Sequence, residues 1–236
     1  MKLTWYGHAT WRVEVGETTL VIDPNFGNEF TDVTPETLEP DYLLVTHGHA
    51  DHVADAGAFL EATVVATPPV AAFLAEEHGV TDSYLDFGVN VGATVPVGDA
   101  YVSVHASSHT NQLGTDYGRR RYDADGGTPV GFTVADGDPT VGAAETTFYH
   151  AGDTGLCADL RDVVGGVYEP DAAALPIGGS FTMGPMEATV ATEWLGGDHV
   201  FSMHYKNAPP NRQNPDAVPD RVTQWQTSAT RHAWCV

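Results

Sequence analysis

The chain has 236 residues, of which 42% are hydrophobic, and this composition fits one folded domain over residues 1–236 rather than a disordered chain. The 32 acidic residues against ten basic ones give a formal net charge of −22 at pH 7, so we expect no binding to duplex nucleic acid. No apolar run approaches the length of a membrane span and no signal peptide precedes the first strand pattern, so we expect a cytoplasmic protein without a membrane partner.

The acidic residues are spread along the whole chain, and only Lys2 and Lys206 are lysines. A charge of this size makes the folded chain repel itself in dilute buffer, whereas in multimolar salt the Debye length of about 3 Å or less screens that repulsion. We therefore expect adaptation to a salt-filled cytoplasm. An acidic face for a basic partner is disfavoured because the acids form no blocks. The cysteines, Cys157 and Cys235, are too isolated for a disulfide framework or a thiolate zinc site.

The hydrophobic pattern predicts strands early in the chain, at residues 3–6, 11–15 and 19–22, and a fourth that ends at Thr46 before a helix over 52–61. Further strands are predicted at residues 63–66, 90–97, 100–106, 130–134, 146–150, 172–175 and 199–203. Helices are predicted at residues 69–77, 156–164, 185–195 and 215–225. Strands with interleaved helices favour two packed sheets covered by helices on their outer faces.

The segment 46–52, Thr-His-Gly-His-Ala-Asp-His, directly follows a strand pattern and carries four candidate metal ligands. His47 and His49 are two positions apart, so in extended backbone they point to the same side. Asp51 and His52 follow where the chain turns into a helix and can address a second point. The two pairs therefore predict two metal ions, and the alternative is a solvated histidine-rich loop.

Further ligands are needed to complete two coordination spheres, since each zinc-like ion takes about four or five donors, water included. Three later residues lie where a predicted strand stops and a loop begins: His105, Asp153 and His204. Strand ends are where α/β architectures gather their reactive groups.

Five separated motifs resemble the metallo-β-lactamase superfamily, and within it the small stand-alone metal-dependent hydrolases close to the ascorbate-6-phosphate lactonase-like proteins. The motifs lie at residues 5–10, 46–52, 149–154, 176–185 and 203–205. The resemblance implies a four-layer αββα sandwich with the metals at one edge of its sheets. It also implies that His47, His49 and His105 hold one metal, that Asp51, His52 and His204 hold the other, and that Asp153 bridges them.

The sequence departs from the family in the long polar loop after His105, and a second histidine, His109, follows four residues later. We expect His105 to be the ligand, because in the family the third histidine precedes small residues and a Gly-Phe strand, here Gly131-Phe132. His109 is the alternative ligand, and otherwise a substrate contact or an exposed loop residue.

The ligand set predicts hydrolysis, because two metals about 3.5–4 Å apart can share a bridging hydroxide and lower the pKa of water toward about 7. Asp51 can orient that hydroxide and accept its proton. Asp23 is either a carboxylate that fixes a ligand imidazole or a turn-forming Asp-Pro. His8 is either the proton donor to the leaving group or a turn histidine that caps backbone. Zinc is the default ion, and manganese or iron can occupy the same donors.

Substrate recognition is assigned to residues that suit an anionic group. Arg119, Arg120 and Arg121 lie together in the long loop, Lys206 follows His204 by two residues, and Ser180 and Thr182 lie in a glycine-rich loop. Each also has a plainer interpretation, as a solvated loop, an exposed lysine or a turn. We expect a small anionic ester, lactone or phosphodiester as substrate, and homo-oligomers stay open.

The alternatives are an RNA-processing nuclease of the same fold, for which a basic exosite is lacking, and a non-catalytic metal-binding or sensor protein. The sensor would need a coordinatively closed site, whereas seven protein ligands across two ions leave room for water.

Overall fold

The computed structural model describes residues 1–114 and 124–205 in full and the backbone of residues 232–235. The first strands in chain order are β1 (Lys2–Trp5), β2 (Trp11–Val15), β3 (Thr18–Ile22), β4 (Tyr42–Leu44), β5 (Thr63–Val65) and β6 (Thr94–Val97). They are followed by β7 (Ala100–Ala106), β8 (Val130–Ala135), β9 (Thr147–His150), β10 (Ala172–Pro176), β11 (His199–Met203) and β12 (His232–Cys235). In the described ranges they form two six-stranded sheets, in the orders β12-β1-β2-β3-β4-β5 and β6-β7-β8-β9-β10-β11.

The two sheets repeat one pairing pattern. In the order β12, β1, β2, β3, each strand pairs antiparallel with the next. β4 then pairs in parallel with β3, and β5 pairs in parallel with β4. β6, β7, β8 and β9 are likewise antiparallel, and β10 and β11 add in parallel. In each sheet, the strands of one direction therefore end at a common edge, and the loops that follow them can meet there.

A continuous apolar core lies between the sheets. Along β2, buried and half-buried residues alternate, which is the period of two expected of a strand with one covered face. Its fully buried Trp11 packs 5.3 Å from the ring of Phe148 on β9 and 5.5 Å from that of Phe201 on β11. Each large apolar side chain buried in this way contributes about 1.5–3 kcal/mol.

Helices cover the outer faces of both sheets. The first sheet packs its outer apolar residues against α1 (Ala50–Val53) and α2 (Pro68–Phe73). The second sheet is covered by a π-type helix, Leu160–Tyr168, and by α3 (Pro185–Leu195). This layering confirms the predicted αββα sandwich.

The helix predicted over residues 52–61 is wrong in extent. The structure has only the single turn of α1 and then a 3₁₀ turn at Ala56–Ala58. The reason is Asp55, whose backbone N–H donates to the carbonyl of Pro24 (3.0 Å) while its side chain accepts from the N–H of Phe26 (2.6 Å). A backbone N–H held by another segment cannot continue an α-helical ladder.

The other predicted helices differ in outcome. The one at residues 69–77 is confirmed as α2 with a π-type extension, Leu74–His78, and the one at 185–195 is confirmed as α3. The one at 156–164 is shifted to Leu160–Tyr168, and the one at 215–225 lies outside the described residues. None of the helices in the described part of the chain is both long and apolar enough to cross a membrane.

Candidate metal centre

One edge of the sandwich gathers the candidate ligands, because each follows the end of a strand. His8 follows β1, Asp23 follows β3 and residues 47–52 follow β4. His109 follows β7, Asp153 follows β9 and His204 follows β11. All of these strands run in the direction that ends at this edge of their sheet, so both sheets contribute to one centre.

A first cluster consists of His47, His49 and His109, with one ring nitrogen of each within 4.8 Å of the others. The Nε2 atom of His47 lies 3.0 Å from Nδ1 of His49. The ring of His109 lies edge-on to both, with centroids 5.2 Å from His47 and 5.1 Å from His49. Three converging imidazoles are a typical donor set for a first-row divalent ion.

A second cluster consists of His8, Asp51, His52 and His204, again with donor atoms within 4.8 Å of one another. The Oδ2 atom of Asp51 lies 3.2 Å from Nε2 of His8 and 3.6 Å from Nε2 of His204. His8 was expected either as a proton donor or as a turn histidine that caps backbone, and its ring centroid lies 4.2 Å from that of His204.

Asp153 lies between the two clusters. Its Oδ1 atom is 3.4 Å from Nε2 of His52, and its Oδ2 atom is 3.1 Å from Nε2 of His204. The same Oδ2 atom is 3.6 Å from Nε2 of His109 in the first cluster. One carboxylate therefore faces ligands of both clusters, which is the arrangement that a bridging ligand needs.

The structure places His105, the expected third ligand of the first metal, away from the first cluster. His105 lies inside β7, opposite Gly131, and its Nε2 atom is 2.9 Å from the hydroxyl of Thr133 on β8. Its ring packs edge-on against Tyr168 of the π-type helix, at 4.6 Å. The side chain thus points toward the helix layer. The loop after Ala106 brings His109 to the centre instead, beside His47 and His49.

Asp23 and Thr46 orient two of the imidazoles. The buried carboxylate of Asp23 accepts hydrogen bonds from the N–H and the hydroxyl of Thr46 (2.8 and 2.7 Å), and from Nδ1 of His52 (2.8 Å). The Thr46 hydroxyl, whose proton points to Asp23, accepts in turn from Nδ1 of His47 at 3.0 Å. Both rings therefore carry their proton on Nδ1 and present Nε2 to the centre.

Burial and the neighbouring charges shift the pKa values of these groups in opposite directions. Burial lowers the pKa of His8 and of His109 to about 4. Burial also disfavours charge on His204, but Asp153 and Asp51 outweigh it and raise the pKa of His204 to about 9. Burial would raise the pKa of Asp153, but His204 and His52 hold it well below its usual range. Buried carboxylates thus persist as anions because imidazolium protons balance them.

The donor set fits divalent ions. The buried Nε2 atom of His52 and the buried Oδ1 atom of Asp153 face each other at 3.4 Å, and neither makes a hydrogen bond among the described residues. Such orphaned atoms are costly unless a ligand satisfies them. A divalent ion can take the place of the imidazolium protons and satisfy these atoms together. His49, Asp51 and His109 are only half-buried, so the centre opens to solvent on their side.

Backbone strain is concentrated at the same edge. Three non-glycine residues at the centre adopt left-handed backbone: His8 (φ 50°), Asp23 (φ 47°) and His204 (φ 54°). This conformation costs of order 1–3 kcal/mol for a non-glycine residue and is retained where the surroundings impose it. Each of the three follows the end of a strand, where the turn aims the side chain at the centre.

The expected substrate residues are placed less favourably. Arg119, Arg120, Arg121 and Lys206 lie outside the described residues. Ser180 is exposed in the loop before α3, and Thr182 is buried with its hydroxyl 3.4 Å from the carbonyl of Met183, as a turn residue would be. That loop rests on the Asp153 loop through a hydrogen bond from the N–H of Met183 to the carbonyl of Thr154 (2.9 Å).

Two residues that hold the ligand segment in place, Thr46 and Asn111, were not predicted from the sequence. Thr46 immediately precedes the ligand segment, and its place before His47 was the only signal available. Asn111 contacts the ligand turn through Gly48, 63 residues away in sequence, at 2.8 Å. No local sequence pattern predicts such a contact, because it depends on how the long loop after β7 folds back onto the ligand turn.

Comparison with known proteins places the chain in a family. Residues 2–204 match the family described as the beta-lactamase superfamily domain. A UPF0173 metal-dependent hydrolase of Haloarcula marismortui is 52% identical over 212 residues, which cover 89% of this chain and 87% of the relative. A UPF0173 metal-dependent hydrolase of Methanopyrus kandleri is 37% identical over 228 residues, covering 95% and 92% of the two chains.

A solved structure of similar fold is Igni18, described as a novel metallo hydrolase from the hyperthermophilic archaeon Ignicoccus hospitalis. It superposes with a TM-score of 0.80 at 26% sequence identity and covers 100% of this chain and 98% of its own. The similarity therefore extends over the whole sandwich.

Proposed function

The chain belongs to the metallo-β-lactamase superfamily and is a metal-dependent hydrolase of that fold, and on this basis we propose that it uses two divalent ions to hydrolyse a small anionic ester, lactone or phosphodiester. Zinc is the default ion for so imidazole-rich a set, and manganese or iron suits the same donors. His47, His49 and His109 would hold one ion, Asp51, His52 and His204 would hold the other, and Asp153 would bridge them.

The position of Asp153 is the observation that carries the two-ion proposal. Its two oxygens face His52 and His204 of the second cluster, and one of them also faces His109 of the first. A single ion would leave either the three imidazoles of the first cluster or most of the second without a partner. The half-buried side chains at the open side leave access for water and substrate, which favours an enzyme over a closed sensor site.

Two bound ions would polarise the scissile group and bring the pKa of water near neutrality. The residues of the chain supply orientation and proton handling. Asp23 and Thr46 fix the rings of His52 and His47 with Nε2 directed at the centre. Asp51 can accept a proton at Oδ2, and since that atom lies 3.2 Å from Nε2 of His8, the pair can pass a proton toward the leaving group.

An anionic substrate follows from charge. Two divalent ions bring four positive charges, against one negative charge each from Asp51 and Asp153. The loaded centre is therefore a positive spot on a chain of net charge −22, and it would draw an anion that the rest of the surface repels.

The proposal is tested by elemental analysis of protein purified in high salt without chelator or affinity-tag histidines. We expect about two first-row ions per chain and hydrolysis of members of a panel of lactones, carboxylic esters and phosphodiesters. Asp153→Ala should lose both metal and hydrolysis, because the bridging carboxylate is gone, while its circular dichroism spectrum stays native. A matched control is Asp41→Ala, at the far end of the first sheet, where the carboxylate accepts from the N–H of Thr19 (2.8 Å).

Two results would contradict the proposal. One is a stoichiometry of one ion or none after reconstitution with zinc, manganese and iron. The other is an Asp153→Ala variant that keeps two ions and full turnover.

A further inference from the structure

The segment 109–114, which carries His109, is docked on the ligand turn His47-Gly48-His49. The N–H of Gly114 donates to the carbonyl of Gly48 at 2.8 Å, and the side-chain oxygen of Asn111 accepts from the N–H of Gly48 at 2.8 Å. Both backbone groups of Gly48 are thus held by this one segment. The turn that sets the directions of His47 and His49 is therefore fixed by residues that follow His109.

Asn111 also joins the two arms of the long loop after β7. Its side-chain N–H₂ donates to the carbonyl of Gly126 at 2.8 Å, and its backbone carbonyl accepts from the N–H of Gly126 at 2.6 Å. The side chain is 3% exposed, so both of its polar atoms are used inside the protein. One amide therefore connects the ligand turn, the segment of His109 and the returning arm of the loop.

The fit around this amide is close. A Cβ atom added at Gly126 would lie 2.4 Å from Oδ1 of Asn111, and one added at Gly48 would lie 2.4 Å from Cδ2 of Leu113. A side chain at Gly126 would displace the hydrogen-bonded amide of Asn111, whereas one at Gly48 would have to displace the end of the Leu113 side chain. The absence of a side chain at both positions lets the loop approach the ligand turn.

We propose that Asn111 is a positioning residue that sets the geometry of the first metal cluster, a role that rests on the proposed two-ion function. It touches neither ion nor substrate. It acts by holding Gly48, between two ligands, at a fixed distance from its own segment, which carries the third. The site needs one acceptor and one donor in the same plane, and among side chains of this size only the amide of asparagine offers both.

The first cluster is isolated for the test in a His204→Ala background, which removes a ligand of the second cluster. In that background we expect one zinc ion per chain, bound at His47, His49 and His109. Adding Asn111→Leu, which keeps the volume but neither hydrogen bond, should weaken zinc binding by about 10–100-fold in a chelator competition. Adding Asn111→Asp should also weaken it, because its carboxylate repels the carbonyl of Gly126, although a new negative charge alone would tighten the binding of a cation.

A second readout needs no metal. In the apo protein the amide proton of Gly48 should exchange with solvent faster in Asn111→Leu than in the parent. Asp171→Ala serves as the structural control, since Asp171 accepts two hydrogen bonds from Thr147 (2.8 and 3.0 Å) at the opposite end of the second sheet. It should lower the melting temperature without changing zinc affinity or Gly48 exchange.

The outcomes separate this inference from the function on which it rests. If the parent protein binds one zinc ion or none, the two-ion proposal fails and the positioning role fails with it. If the background binds one ion and the Asn111 variants bind it equally well, only the positioning role is overturned. Tighter binding by Asn111→Asp would overturn it as well, since charge and not geometry would then control the site.

Discussion

His105 and His109 differ in what surrounds their rings. His105 is packed between Thr133 and Tyr168, inside a strand that fixes the side to which it points. His109 lies beyond the end of that strand, beside His47 and His49. The sequence could supply both histidines as candidates, but the choice depends on the face of β7 that meets the helix layer, which a short loop motif does not reveal.

We expect His109→Ala to lose one of the two ions, because it removes an imidazole that faces Asp153 and the other two members of the first cluster, His47 and His49. His105→Ala should keep two ions and lose folding stability by about 1–3 kcal/mol, since the hydroxyl of Thr133 loses a partner inside the protein. Metal content and urea denaturation of both variants, measured side by side, decide between them. Full metal in His109→Ala, with loss in His105→Ala, would restore the family-based assignment.

Residue types at the centre were predictable, whereas their pairing was not. The dense motif at residues 47–52 predicted four candidate ligands, and the structure brings all four to the centre. For Asp23 the sequence allowed two interpretations, a carboxylate that fixes a ligand imidazole and a turn-forming Asp-Pro. Its hydrogen bonds to Thr46 and His52 depend on β3 and β4 being parallel neighbours, which local pattern does not state.

At the scale of elements, strand ends were more predictable than helices. Alternating burial reveals a strand such as β2 directly, since one face meets the core. The helix at residues 52–61 was overestimated because Asp55 bonds to the Pro24–Phe26 turn, a tertiary contact that overrides local preference. Likewise, the strand predicted at residues 90–97 begins only at Thr94, because the N–H of Ala93 closes a turn onto Asn90 (3.1 Å).

His150, the last residue of β9, connects elements of the two sheets. Its Nε2 atom donates to the carbonyl of Ala9 at 2.8 Å, and its Nδ1 atom accepts from the N–H of Gly152 at 3.1 Å. Ala9 is next to His8, and Gly152 is next to Asp153. A single neutral imidazole therefore connects the turn of His8 to the turn of Asp153.

We expect His150→Phe, which keeps a flat ring but neither hydrogen bond, to lower the free energy of unfolding by about 2–4 kcal/mol, because two buried backbone groups lose their partners. His78→Phe, at the half-buried end of the extension of α2, should change it by less than about 1 kcal/mol. Urea denaturation of the two variants in matched salt provides the comparison. An unchanged stability of His150→Phe would mean that water or neighbouring groups replace the imidazole.

At the scale of the whole molecule, net charge and topology have separate consequences. The charge of −22 is carried by acids along the entire chain. Relatives of 47% to 52% identity come from Haloarcula marismortui and Haloquadratum walsbyi. Composition thus predicts the conditions in which the fold is stable and says little about the fold itself.

We expect the melting temperature to rise by roughly 10 °C between about 0.1 M and about 3 M potassium chloride, because screening removes self-repulsion and each kcal/mol is worth about 2–4 °C at this size. Differential scanning calorimetry with the apo protein measures the effect without a contribution from metal affinity. Sucrose at equal osmolality is the control, since it screens no charge. Equal melting temperatures at the two salt concentrations would contradict the proposed adaptation.

The first half of the molecule contains β1–β5 and the second contains β6–β11. The two halves have the same strand pairing but contribute different side chains to the centre. β4 of the first half leads into four candidate ligands, whereas β10, its counterpart, leads into the Ile177–Gly184 loop, which contains no histidine, cysteine or carboxylate. The second half instead supplies Asp153, which faces both clusters, and one histidine to each cluster, His109 and His204. The first sheet also takes its edge strand β12 from the far end of the chain. The scaffold is therefore repeated, whereas the centre needs both halves.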